Sequence, residues 1–176
     1  MPQLASLDDL LVHELQRIYH AEGQVLDVLP RMINAATHAD LKQILEAHRQ
    51  QSESQVRRLE RAFMVLGVPG KRRTCDGMAG LLKEARRILD ADAGSSVMDV
   101  ALIAAAQKVA HYEIAAYGTV CTYAEMLGYD QVHELLGQNL DEEETTDQKL
   151  NALAETAIQQ HGDDLALEDL GAGRQA

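Results

Sequence analysis

Four long stretches of the chain repeat apolar residues at the 3.6-residue spacing of an amphipathic helix, and this periodicity limits the fold more than any other feature. The stretches cover about residues 7–35, 39–66, 97–127 and 130–160. Aromatic residues make up only 3% of the 176 positions, whereas Ala, Leu, Glu and Gln are frequent, and this composition is typical of helices rather than sheets. The sequence therefore predicts an all-α protein.

The lengths of the connections indicate how the helices are arranged. A few residues around Thr37 join the first two helices, and "LGYD" joins the last two, so each pair is expected to form an antiparallel hairpin. Residues 67–96 separate the hairpins. Because a helix of about 28 residues is roughly 42 Å long, a link of this size can cross the whole bundle and leave the second and third helices parallel. These lengths predict a ferritin-like four-helix bundle, and the segment "GLLKEARRILDA" predicts an extra short helix in the long crossover.

Bulk features set the expected boundaries and exclude some partners. Helical periodicity is lost near residue 160, which predicts a bundle domain over residues 1–160 and a flexible C-terminal tail over 161–176. A net charge of -12 argues against nucleic acid as a partner. No apolar run approaches the roughly 18 residues of a membrane span, so no membrane association is expected. Cys75 and Cys121 form neither a metal-type pair nor a disulfide framework, and no signal peptide is recognisable, which predicts a cytoplasmic location.

The fourth helix carries "LDEEETTDQKL", with five carboxylates in seven positions. At about 100° per residue, Glu143 and Asp147 fall on the buried stripe of this helix. Asp141 and Glu142 point away and are expected to be solvated, whereas Glu144 lies on the flank. We therefore expect two acids of this run to face the core.

The other helices place polar residues at a similar depth. Glu22 in the first helix and Glu113 in the third lie on apolar faces, and the second helix offers His48 on its inner face and Glu53 on its flank. A lone buried carboxylate costs several kcal/mol unless it is neutralised, and no Lys or Arg occupies a matching inward position. Metal cations would supply the missing charge, and a carboxylate cluster that shares protons is the alternative.

Several segments resemble the YciF-like stress proteins of the ferritin superfamily: "IYHAEGQ", "CDGMAGLLKEA", "DVALIAAAQKVAHYEIAAYGT" and "LDEEETTDQKL". The similarity covers about residues 7–157. It implies a rubrerythrin-like bundle with an additional helix in the link, usually dimeric, found in bacteria, linked to stress responses and bearing a di-iron carboxylate site, with manganese or zinc as alternative metals. The candidate ligands at matching positions are Glu22, Glu113, Glu143 or Glu144, and Asp147, with His48 and Glu53 ranked below them.

This chain also departs from the family pattern. Family members often carry an acid at the position of Ala110 and acids at the positions of Gln50 and Gln51. Ferritins usually have a Glu-x-x-His pair in this part of the second helix, where this chain reads "HRQQSES". The departures concern the ligands of a second metal ion, and they leave the choice between His48 and Glu53 open.

Two classes of function agree with these observations. The first is a di-metal protein that handles iron or reacts with oxygen or peroxide. The second is a non-catalytic structural or interaction bundle in which metal is absent or only stabilising. The sequence does not decide between an enzyme and a non-enzyme, nor does it name the native metal.

A homodimer is the expected assembly. On the side that points away from the inward polar residues, the third helix carries a mixture of polar, apolar and small side chains, and we call this side the outer face. Such a face suits close approach by another helix, either from a second copy or from the link helix of the same chain. The outer face consists of Gln107, His111, Ile114 and Gly118.

Overall fold

The structure is a computed structural model that describes the backbone of residues 4–172 and the side chains of residues 4–157. Within this part of the chain all regular structure is helical, which confirms the predicted all-α class. None of the helices described is both long and apolar enough to span a bilayer. The backbone of residues 4–172 forms five helices, which are α1 (Leu7–Ala35), α2 (Ala39–Val65), α3 (Asp76–Leu89), α4 (Ser95–Met126) and α5 (Asp130–Ala172).

Local capping chemistry sets where α4 ends. Gly128 follows the last turn of the helix with a φ of +73°, a left-handed conformation that favours glycine. The backbone N–H of Tyr129 then donates to the carbonyl of Ala124 at 2.9 Å, and that of Gly128 to Glu125 at 3.0 Å. This motif reverses the chain within a few residues, so α4 and α5 form the predicted antiparallel hairpin.

Contacts between helix ends show how the two hairpins lie together. The Asp99 carboxylate near the start of α4 accepts hydrogen bonds from Thr37 N at 2.7 Å and from His38 N at 2.9 Å, in the turn before α2. At the opposite end, Tyr129 before α5 donates to Asp8 of α1 at 2.6 Å. Helices α2 and α4 therefore begin at the same end and run parallel, as the long crossover predicts.

Around the bundle, α1 lies beside α2 and α4, and α5 beside the same two helices. The crossover helix α3 packs outside this square against α1 and α4, where it buries Met78, Leu82 and Ala85. The extra helix is thus confirmed, with a start at Asp76 that precedes the predicted segment. Helix α5 continues to Ala172, beyond the predicted end near residue 160. The side chains of the predicted tail, residues 161–176, lie outside the described part, so the division into residues 1–160 and 161–176 stays a prediction.

The apolar core of the bundle consists of two separate clusters. The upper cluster lies at the end where α2 and α4 begin and includes Val25, Leu29, Leu45, Leu82, Leu102 and Leu150. The lower cluster lies at the other end and includes Leu11, Leu15, Leu59, Phe63, Val120 and Leu136. Buried polar side chains occupy the layer between them.

Candidate metal centre

Each helix of the four-helix square contributes one ionisable side chain to the layer between the two apolar clusters. They are Glu22 from α1, His48 from α2, Glu113 from α4 and Glu143 from α5, and none is more than 1% exposed. Each lies at helical spacing from apolar residues of the upper and lower clusters, so the packing that buries those residues also buries the polar group.

Three of the four side chains meet closely. His48 Nε2 lies 3.3 Å from a carboxylate oxygen of Glu143 and 3.5 Å from one of Glu113. One ligand atom from each of these residues lies within 4.8 Å of the others. Glu22 adjoins this group, and its Oε1 accepts a hydrogen bond from the Tyr117 hydroxyl at 2.5 Å. Gln55 Nε2 donates to Glu143 at 2.7 Å.

Many polar atoms in this layer have no hydrogen-bond partner among the described residues. They include both oxygens of Glu113, one oxygen each of Glu22 and Glu143, and both ring nitrogens of His48. The contacts of His48 with the two carboxylates therefore have ion-pair distances without hydrogen-bond geometry. A buried polar atom without a partner costs about 1–3 kcal/mol, and a coordinated cation would satisfy several of them at once. The residues present thus fit a metal ion.

Electrostatic effects divide the four groups into two kinds. Burial, followed by repulsion from Glu113 and Glu143, raises the pKa of Glu22 well above its ordinary value. Burial and then the charge of Glu143 raise the pKa of Glu113 to about 8. In a metal-free protein near neutral pH, Glu113 therefore holds a proton, and the surroundings of Glu22 likewise favour its protonated form.

His48 and Glu143 behave as an ion pair. Burial alone would lower the pKa of His48, but attraction to Glu143 and Glu113 outweighs burial and raises it well above its usual value. Burial alone would raise the pKa of Glu143, but His48 and the Gln55 amide outweigh burial and lower it. No Lys or Arg among the described residues forms an ion pair with the buried carboxylates. The imidazolium of His48 is therefore the cation that faces them.

The structure brings together some of the predicted ligands and separates others. The inward orientation predicted for Glu22, Glu113 and Glu143 is confirmed, and His48 lies with them. Glu53 is 46% exposed and pairs with Arg49 at 3.4 Å, so its depth along α2 does not bring it to the cluster. Glu144 is exposed on the outside of α5.

Asp147 requires a correction, because it does not share the core with Glu143. Its side chain is 15% exposed, and one oxygen lies 3.0 Å from His111 Nδ1 of α4. The other oxygen accepts a hydrogen bond from Asn151 at 2.9 Å. Four residues advance a helix by about 40° beyond a full turn, and this rotation carries Asp147 from the core to the outer edge of the α4–α5 contact.

Two further residues have roles that the sequence did not reveal. Glu142, expected to be solvated, is paired with Arg58 at 2.6 Å and is only 25% exposed. Tyr117 packs in the lower apolar cluster and also donates a hydrogen bond to Glu22. The available signal for Tyr117 was its position four residues after Glu113, which places both on one face of α4.

Comparison with known proteins connects this site to a family. Residues 6–162 match the family described as "Domain of unknown function (DUF892)". The chain is 39% identical to protein YciF of Escherichia coli (strain K12) over 152 residues, which cover 86% of this chain and 92% of YciF.

Solved structures agree with this similarity. The E. coli stress protein YciF superposes with a TM-score of 0.85 at 38% identity, covering 88% of this chain and 98% of YciF. YcfI from Rhodopseudomonas palustris, for which a structural role has been suggested, gives a TM-score of 0.82 at 42% identity and covers 85% and 95% of the two chains. A protein from Xanthomonas campestris shares the fold at 18% identity, with a TM-score of 0.67 over 89% of this chain and 99% of that one. The chain therefore belongs to the DUF892 family and is a YciF-like, ferritin-like helical bundle.

Proposed function

We propose that this protein binds one or two transition-metal ions, iron in the first place, in the buried layer, and that the bound metal serves a stress-related reaction with oxygen or peroxide. The observation that carries the proposal is the set of unpartnered ligand atoms on His48, Glu113 and Glu143, which lie within 4.8 Å of one another. Imidazole combined with carboxylates suits iron, and manganese or zinc are the alternatives.

Charge balance supports the same proposal. The cluster holds three carboxyl groups and one imidazole, and burial together with repulsion from neighbouring carboxylates raises the pKa values of Glu22 and Glu113 and so favours their neutral forms. A divalent cation would reverse this effect by stabilising the ionised carboxylates and the neutral imidazole. Metal binding is therefore expected to release protons and to weaken as the pH falls.

Bound iron would supply the electrons that reduce oxygen or peroxide. The chain itself supplies the surroundings of the ion. The upper and lower apolar clusters exclude bulk water on both sides of the layer. Tyr117 holds one oxygen of Glu22, and Gln55 holds one oxygen of Glu143, so each carboxylate keeps its second oxygen for a ligand. Glu22 would provide the additional carboxylate that a second ion needs.

Anaerobic loading with ferrous iron, followed by desalting and metal analysis, tests the proposal. The wild-type protein should retain about one to two equivalents, whereas Glu143→Leu should retain little, because structural metal sites depend on every ligand. Glu144→Gln is the matched control, since this neighbouring acid on α5 is exposed. Retention below about a tenth of an equivalent by the wild type, or equal retention by Glu143→Leu, would contradict the proposal.

A structural bundle without metal is the second candidate, and one observation favours it. His48 and Glu143 already form a buried ion pair, and the raised pKa values of Glu22 and Glu113 favour the neutral forms of these two groups. The suggested structural role of YcfI agrees with such a protein. Iron-dependent consumption of peroxide by the wild type, lost in Glu143→Leu, would support the redox function and exclude the structural one.

A further inference from the structure

In the layer between the two apolar clusters, polar side chains form the contact between α2 and α5. At its centre, Ser52, Gln55 and Asn139 are fully buried. Among the described residues, the hydrogen bonds that lead from the carboxylates of the metal site to a partly exposed side chain run through this contact. We call it the α2–α5 seam, and its members are Gln51, Ser52, Gln55, Arg58, Asn139, Glu142 and Thr146.

Gln55 connects the inside of the seam with its outside. Its Nε2 donates to Glu143 at 2.7 Å on the inner side and lies 3.2 Å from Glu142 on the outer side. Glu143 is fully buried, whereas the Glu142 side chain is 25% exposed. A single side chain thus spans the distance from the metal site to a carboxylate that solvent reaches.

The seam also contains buried polar atoms without a hydrogen-bond partner in the described part of the chain: Ser52 Oγ, Gln55 Oε1 and Asn139 Nδ2. Each would be costly in a permanently dry contact. Two of the three are oxygens, the ligand type that divalent cations accept on the way to a site. The atoms are therefore placed to interact with a polar guest that passes between the helices.

Arg58 closes the outer end of the seam. Its two terminal nitrogens lie 2.6 and 2.8 Å from the two oxygens of Glu142, and one of them also donates to Asn139 at 2.8 Å. A cation cannot bind Glu142 while the guanidinium occupies both oxygens. On the other side of the site, a hydrogen bond of 3.1 Å between Thr146 and Gln51 closes the seam beneath a surface groove.

We propose that the α2–α5 seam is the entrance through which divalent cations reach the buried site, an inference that rests on the proposed metal-binding function. Glu142 captures the cation after it separates from Arg58, and the cation then passes Gln55 to reach Glu143 and His48. Arg58 acts as a latch that slows both entry and release.

Rates of metal uptake test the entrance separately from metal affinity. Co²⁺ is the probe, because its absorption spectrum changes on coordination, and stopped-flow mixing gives the rate while titration gives Kd. Glu142→Gln should slow uptake by about tenfold, the size expected when an attractive charge at an entrance is lost. Arg58→Gln should speed uptake and release. Kd should stay within about twofold in both variants, since neither residue belongs to the buried cluster.

Two exposed neighbours provide matched controls. Asp141→Asn removes an exposed acid one residue before Glu142, and Arg57→Gln removes an exposed basic side chain one residue before Arg58. Both variants should take up Co²⁺ at the wild-type rate. If Glu142→Gln takes up Co²⁺ as fast as Asp141→Asn, the proposed entrance is wrong. The proposal is also wrong if Glu142→Gln loses as much affinity for Co²⁺ as it loses in rate. If the wild type produces no Co²⁺ absorption band, the proposed function itself fails, whereas normal binding with unchanged rates refutes the entrance alone. Unfolding curves of all variants show whether the fold is kept.

Discussion

Glu113→Gln is expected to make the metal-free protein more stable at neutral pH. The carboxyl group of Glu113 is 1% exposed, and burial together with Glu143 raises its pKa from the ordinary 4.5 to about 8. At pH 7 the unfolded chain releases this proton and the folded chain keeps it, and each pH unit above 4.5 therefore favours unfolding by about 1.4 kcal/mol. By pH 7 the cost is about 3 kcal/mol. Glutamine has nearly the same shape and does not ionise, so the variant avoids this cost.

The direction with pH follows from the sign of the shift. A carboxyl group with a raised folded-state pKa contributes stability below its unfolded value of 4.5, and this contribution is lost as the pH rises through about 8. The raised pKa values of Glu22 and His48 act in the same direction. The lowered pKa of Glu143 acts in the opposite one, since its contribution is lost as the pH falls through that lowered value. The metal-free wild type should therefore weaken from mildly acidic to alkaline pH, and Glu113→Gln should weaken less.

Urea denaturation in the presence of a chelator, at several pH values between about 4.5 and 8, measures this difference. The free energies of unfolding should coincide at the acidic end and diverge by about 3 kcal/mol at pH 7. Glu144→Gln removes an exposed acid from a neighbouring helix and should stay within about 0.5 kcal/mol of the wild type throughout. Parallel pH profiles for the wild type and Glu113→Gln would refute the inference that Glu113 is a protonated, buried acid.

Three further predictions concern stabilisation by bound metal, the hydrogen bonds between Asp99 and the turn before α2, and the oligomeric state. Ferrous iron at about 100 times its Kd should stabilise the wild type by about 2.7 kcal/mol and raise Tm by several degrees. The Tm of Glu143→Leu should rise little with iron, whereas that of Glu144→Gln should rise as much as that of the wild type. If the Tm of Glu143→Leu rises as much as that of the wild type, Glu143 is not a ligand. Asp99→Ala leaves the N–H groups of Thr37 and His38 without their acceptor. The free energy of unfolding should fall by about 2–3 kcal/mol, which urea denaturation would record as a lower midpoint. An unchanged midpoint would show that these hydrogen bonds do not stabilise the fold. We expect a homodimer with the outer face of α4 at the contact. Light scattering should therefore give twice the mass of this 19.3 kDa chain. A monomeric mass at micromolar concentration would reject the dimer.

The positions of the helices and the inward acids could be predicted from local information. Apolar periodicity identifies a helix because one stripe of its surface must be buried, and the connection lengths then leave few ways to arrange four helices. Glu22, Glu113 and Glu143 lie near the centre of their stripes, so a small rotation of the helix leaves them inside. The structure confirms this prediction, with each of the three at 1% exposure or less.

Residues at the edge of a stripe depend on the tertiary structure. Asp147 is only about 40° away from Glu143 around the helix axis, yet it lies partly buried at the edge of the α4–α5 contact, beside His111 of α4. Glu142 lies on the other side of the same helix, where Arg58 of α2 neutralises it. Apolar periodicity predicts the direction in which a side chain points to within a few tens of degrees. The residue that it meets there belongs to a different helix, so the periodicity of one helix does not identify it.

Depth along the bundle is the other property that only packing decided. If each hairpin is folded about its turn with no axial offset between the paired helices, Glu53 has the better depth but a poorer face, whereas His48 faces inward about one turn away from that depth. In the structure His48 lies level with Glu113 and Glu143, whereas Glu53 points to solvent. The offset between neighbouring helices is set by how all their apolar side chains interlock over the whole contact, and no local segment of the sequence contains that information.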